Sequence, residues 1–190
     1  MSRWEPNAPQ RLVKAAIELF VDRGYESVTV AEIAERAGLT KRTFFRHFAD
    51  KREVLFGGQE PHRRLFADAI ASAPASATPL EAIAAGLTAF AADAGEERRD
   101  FLANRQAIID GNPDLREREL LKGAALTAGM AEALRERGVQ EPTASLAAQV
   151  GALALSTAYL RWFEPANRKP LTELVEQALR ELSAATEVLR

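Results

Sequence analysis

A chain of 190 residues, 47% hydrophobic and 27% charged, is long enough to bury a substantial core without disulfide or metal staples. It contains no cysteine, which excludes disulfides and thiolate chemistry and makes a reducing cytoplasm the simplest setting; no secretory leader is expected either. A net charge of −2 argues against a protein that coats nucleic acid nonspecifically, yet it permits a local cluster of cations.

Strand signals are nearly absent and Ala, Leu, Glu and Arg dominate, so the pattern predicts an all-α fold of about nine helices. The first helix is predicted from about Pro9 to Arg23, with Leu12, Val13, Ala16, Ile17 and Phe20 on one face and Gly24 as its C-terminal stop. Thr29 and Glu32 have the spacing of a capping box and start a second short helix, whose inward positions are Ile33 and Ala37 and whose end is Gly38. Thr40 is placed to cap a third helix with Phe44 and Phe48 inside and Lys41, Arg42, Thr43, Arg46 and His47 outside. From Leu39 to Arg52 there are five cations, Lys41, Arg42, Arg46, Lys51 and Arg52, against Asp50 alone, a local charge of +4. Two short helices, a tight turn and a cation-rich second helix suit insertion into the major groove of DNA.

A fourth helix is predicted to begin at Asp50 and to be interrupted at Gly57, Gly58 and Pro61 by a kink, a hinge or a complete break. Lys51 near its start opposes the helix dipole, which a DNA phosphate at the same place would relieve. Thr78-Pro79-Leu80-Glu81 is a helix start, and the helix should reach about Asp93. Further helices are predicted from Glu96 to Ile109, from Pro113 towards Gly138 and from Pro142 to about Phe163. A last one carries Leu171, Leu174, Val175, Ala178, Leu182, Ala185 and Leu189 at helical spacing. The longest apolar run, Leu146 to Phe163, is interrupted by Gln149, Ser156, Thr157 and Arg161, so no membrane span is expected.

Residues 9–55 closely resemble the N-terminal module of TetR-family transcriptional regulators. The likeness is carried by Ala15-Ala16, Leu19-Phe20, Gly24-Tyr25, Thr29-Val30, Ile33-Ala34, Ala37-Gly38, Thr43, Phe48, Lys51 and Leu55. It implies a DNA-binding head at 9–55, with the helix-turn-helix at 29–48, and a helical ligand-binding and dimerisation domain at 56–190. It further implies a homodimer on palindromic double-stranded operator DNA and release of that operator by a small-molecule effector. Two positions depart from the family pattern. Arg42 stands where a small residue is common, and Phe45 where a tyrosine usually donates to a phosphate.

The residues expected to meet DNA are Thr29, Thr40, Lys41, Arg42, Thr43, Phe45, Arg46, His47 and Lys51. Arg3 reads equally as an arm entering the minor groove or as a bystander. Candidate pocket residues are Phe101, Arg105, Ile108, Leu126, Met130, Gln149, Leu153, Tyr159 and Trp162; for each one, ordinary core is the plainer reading. The Ala and Leu bias suits an apolar or amphipathic effector. The last two helices are expected to form the contact between subunits.

No cofactor or metal site is expected, because His47 and His62 are the only histidines and neither has a ligand cluster. No nucleophile elbow, phosphate-cradling loop or His-Glu-x-x-His motif supports an enzyme. The function that the resemblance implies is a ligand-released repressor. Control by a protein partner, or activation rather than repression, remains open on the sequence.

Overall fold

The computed structural model describes residues 8–57 and 59–188. Among these it contains nine α-helices: α1 (Ala8–Arg23), α2 (Val30–Arg36), α3 (Lys41–His47), α4 (Gln59–Ser72), α5 (Pro79–Ala94), α6 (Arg99–Asp110), α7 (Pro113–Glu136), α8 (Thr143–Phe163) and α9 (Leu171–Val188). Short 3-10 turns occupy Arg52–Leu55 and Glu96–Arg98. The chain divides into two compact units. One holds the chain up to Gln59 together with Phe101–Glu119; the other holds Glu60–Asp100 and everything from Leu120 onward.

In the first unit α1, α2 and α3 pack around Leu12, Ala16, Ile17, Phe20, Ile33 and Phe44, all essentially without solvent contact. The same core takes in Ile109 of α6 and Leu115 of α7, both fully buried. Polar ties bind this hairpin to the head. Arg105 Nε donates to the Leu55 carbonyl at 2.6 Å, and its guanidinium lies over the Phe56 ring. Arg118 pairs with Glu53, its Nε at 2.9 Å, and Asn112 Nδ2 donates to Glu26 at 2.7 Å. Asn112 also caps α7, its Oδ1 accepting from the amides of Asp114 and Leu115.

The predicted fourth helix does not start at Asp50. Asp50 Oδ1 accepts from the Glu53 amide at 3.0 Å and caps only the 3-10 turn, after which the chain breaks before α4. A Cβ on Gly57 would lie 3.0 Å from Phe48 Cε1, so glycine permits the close approach of chain and ring. Gly58, Arg3 and Leu189 lie outside the described residues. The helix predicted from Glu96 likewise starts later, at Arg99, after the second 3-10 turn.

In the second unit α5, α8 and α9 pack together, each against the other two. Thr78 and Glu81 make the anticipated capping box, with Pro79 in the first turn. Small residues let α5 and α8 approach closely: a Cβ on Gly151 would sit 2.5 Å from Ile83 Cγ2. Trp162 is fully buried, and its Nε1 donates to Glu96 at 3.0 Å. The Arg137 guanidinium donates to the carbonyls of Ile70, Ala71, Ala73 and Pro74, closing the end of α4.

The apolar stripe of α9, Leu171, Leu174, Val175 and Ala178, is buried within this unit, together with Leu179. Leu182 is half-buried and Ala185 exposed. On α8, by contrast, Leu146, Leu153 and Leu160 are 65%, 54% and 70% exposed, seven residues apart on one face. By length and composition alone α8 is long and apolar enough for a bilayer span, as buried core helices also are. Its other face, Ala144, Ala147, Ala148, Gly151, Ala154, Leu155, Ala158 and Trp162, is buried within the unit.

Candidate nucleic-acid interface

The helix-turn-helix is assembled from local hydrogen bonds. The Thr29 hydroxyl accepts from the Glu32 amide at 3.3 Å, while the Thr29 amide and hydroxyl both donate to Glu32 Oε2, at 2.8 and 2.7 Å. These bonds from Thr29, backed by Arg23 at 2.7 Å, hold the Glu32 carboxyl down at about 2, from an ordinary 4.5. The turn uses Gly38 at φ +65°, a left-handed conformation that glycine enters without a Cβ penalty. The Gly38 and Leu39 amides donate back to the carbonyls of Glu35 and Ala34. Thr40 then caps α3, accepting from the Thr43 amide at 3.1 Å, and the two hydroxyls lie 3.0 Å apart.

Two residues anchor α3 from beneath. Phe44 is fully buried and Phe48 nearly so, with ring centroids 5.4 Å apart. The opposite side exposes Lys41, Arg42, Phe45, Arg46 and His47, with Thr43 half-buried. Thr40, Arg42, Thr43, Phe45 and Arg46 line a shallow open depression.

Arg23, Arg36 and Arg52 are paired with Glu32, Glu18 and Asp50 at 2.7, 3.0 and 3.1 Å. Among the described residues Lys41, Arg42 and Arg46 have no carboxylate partner; Arg46 contacts only His47 Nε2, at 3.4 Å. Three cations without a carboxylate partner therefore lie together on the exposed side of α3, as anion recognition requires.

Thr29 and Lys51 stand differently. The Thr29 proton is directed to Glu32, so a phosphate there would have to displace a carboxylate. Lys51 Nζ donates to the carbonyls of Tyr25 and Val28 at 2.8 and 3.1 Å and lies 4.1 Å from the Tyr25 ring centre. It secures the loop between α1 and α2, and one of its three N–H groups remains for another acceptor. Burial, with Glu26 adding to it, raises the Tyr25 phenol to about 12, so the ring beneath this ammonium stays neutral. Tyr25 as the seat of Lys51 is the positioning residue that sequence reading missed. Aromatic followed by lysine 26 positions later leaves no local pattern.

The pocket candidates scatter. Phe101 and Ile108 are packed against the core of the first unit, and Arg105 is bound to Leu55 and to Glu119. Gln149 and Leu153 lie on the exposed side of α8. Leu126, Met130, Tyr159 and Trp162 belong to the second unit, where Met130 and Trp162 are buried. Tyr159 joins an aromatic series in which Phe66 stacks on Phe90 at 5.1 Å, Phe90 meets Tyr159 at 6.3 Å and Tyr159 stacks on Phe163 at 5.3 Å.

A capped helix-turn-helix with a cationic reading side, followed by long helices, defines a helix-turn-helix regulator. Residues 12–56 match the model for bacterial regulatory proteins of the tetR family, and residues 77–187 match the MftR C-terminal domain. The chain belongs to the TetR family. It is 41% identical over 79 residues to the transcriptional regulator TcmR of Streptomyces glaucescens, covering 42% of this chain and 35% of TcmR. It is 42% identical over 52 residues to the transcriptional activator FasR of Mycolicibacterium smegmatis, covering 27% and 24%. These alignments span only about a quarter to a third of the curated relatives. Among solved structures, PfmR of Thermus thermophilus, a TetR-family regulator, superposes with a TM-score of 0.53 at 25% identity, over 90% of this chain and 96% of that one.

Proposed function

We propose that this protein is a repressor that binds a palindromic operator as a homodimer through α3 and releases it when a small apolar or amphipathic molecule binds the second unit. The observation that supports the DNA reading is the grouping of Lys41, Arg42 and Arg46 on the exposed side of α3 with no carboxylate partner among the described residues, while Arg23, Arg36 and Arg52 are each paired. Lys41, Arg42, Arg46 and His47 would hold phosphates or guanine edges, Thr40 and Thr43 would offer hydroxyls, and Lys51 would reach a phosphate with its third N–H.

The exposed leucines of α8 support a paired subunit, because two such stripes facing each other would cover them. Since α9 buries its own stripe within the subunit, α8 is the stronger half of the proposed contact. Two heads on one dimer also raise affinity beyond what a single short helix gives. For the effector, the aromatic series from Phe66 to Phe163, with Leu126 and Met130 on α7, supports an apolar ligand.

Selection of bound DNA from a random pool tests the whole reading. A palindromic site should be enriched by folded dimer; no enrichment would sink it. Addition of candidate effectors to the complex with that site then separates ligand-released repression from control by another protein.

A further inference from the structure

We propose that Phe45 reads a thymine in each operator half-site through its C5-methyl group. This rests on α3 being the helix that enters DNA, and it goes further by assigning a base to one side chain.

Phe20, Phe44, Phe48 and Phe56 of the head are all buried, whereas Phe45 is 48% exposed. A single exposed apolar residue on a protein surface is ordinary. This one is distinguished by its setting. It stands four residues after Lys41, three after Arg42 and directly before Arg46, so the phenyl group lies among three cations that have no carboxylate partner among the described residues. Lys41 Nζ is 5.9 Å from its ring centre. Its edge-to-face contact with Phe44, at 5.5 Å and 79°, rests it on a side chain with no solvent exposure, so its pitch is fixed in advance. The ring also forms one wall of the depression lined by Thr40, Arg42, Thr43 and Arg46.

The occupant follows from complementarity. The cations and hydroxyls of the depression match phosphate oxygens and the acceptors on guanine and thymine. The phenyl group can neither donate nor accept, so no phosphate or base-edge hydrogen bond is open to it. The major groove offers one apolar group, the thymine methyl. The deoxyribose edge is the other apolar surface within reach, but it is the same for every nucleotide. A methyl contact gives sequence preference; a sugar contact gives none.

The test begins with the palindromic site selected by the full-length protein from a random pool. Each thymine is replaced in turn by deoxyuridine, which removes the methyl and leaves the hydrogen-bonding edge unchanged. One symmetric pair of positions should lose affinity, by roughly fourfold for one half-site and roughly fifteenfold for both, the scale of burying one methyl group. Phe45→Ala, at an exposed position that the fold does not need, should abolish sensitivity at that pair and keep the slope of affinity against salt, since no charge is removed. Thymines that all tolerate deoxyuridine would overturn the Phe45 assignment and leave the DNA reading intact. Sensitivity that persists in Phe45→Ala would also overturn it, because another side chain would then be the reader. Failure to enrich any site would overturn the DNA reading and this proposal together.

Discussion

The two units of this protein are stabilised in contrasting ways. The head depends on two helices of seven residues each, α2 and α3, which are too short to persist alone. It compensates with caps at Thr29 and Thr40, a left-handed glycine between them, and side chains that reach backbone carbonyls from Lys51 and Arg105. The second unit relies on helices of 16, 21 and 18 residues, α5, α8 and α9, with small apolar faces pressed together. One unit is specified mostly by polar geometry, the other by close packing.

Substitutions can break that contrast. Ile109→Ala or Leu115→Ala should cost about 2–5 kcal/mol each, and the loss should appear in the head despite their place far along the chain. Denaturant unfolding followed by protection of amides in α1–α3 would show it; full protection of those amides would refute the shared core. Gly151→Ala should cost about 1–3 kcal/mol by forcing α5 and α8 apart at Ile83, and an unchanged melting temperature would contradict the close contact.

Lys51→Met should destabilise the head by about 1–3 kcal/mol, because the Tyr25 and Val28 carbonyls lose their donor. Operator titrations at several salt concentrations then separate its two tasks: a flatter slope means a phosphate contact as well, an unchanged slope a structural tie alone. Thr78→Ala should cost about 1 kcal/mol in the second unit, through loss of the α5 cap, with the head unaffected.

The smallest effect is one of pH. The Glu32 carboxyl is depressed in the folded head, so its contribution is complete above about 4.5 and is lost as pH falls towards about 2. Circular dichroism of Glu32→Ala against the parent should show a weaker acid dependence of the head in that window; identical profiles would mean that the capping box carries no measurable share.

What could be read in the sequence was what lies within three or four residues. Thr29 with Glu32, Thr40 with Thr43, Thr78 with Glu81 and the turn at Gly38 are each complete in a few positions, and all four form as anticipated. The face of α3 was legible for the same reason, since Phe44 and Phe48 identify its inside. Arg105 is held by the Leu55 carbonyl fifty positions away, a partner that helical periodicity gives no sign of. Lys51 stands before a single 3-10 turn capped by Asp50 and not in the first turn of a helix starting there, because that cap satisfies one turn only. The last two helices are both apolar in sequence; packing shows that the stripe of α9 is covered within the subunit and that Leu146, Leu153 and Leu160 of α8 are not.

The burial of Ile109 and Leu115 in the head also affects how the protein is made. A ribosome releases the chain from its N-terminus, so α1, α2 and α3 emerge while two members of their core are still unsynthesised. At about 5–20 residues per second, the roughly sixty residues between Phe56 and Glu119 take about 3–12 s to add. During that interval the nascent reading helix is exposed on an unfinished support, and completion of the head is timed by translation of α6 and α7.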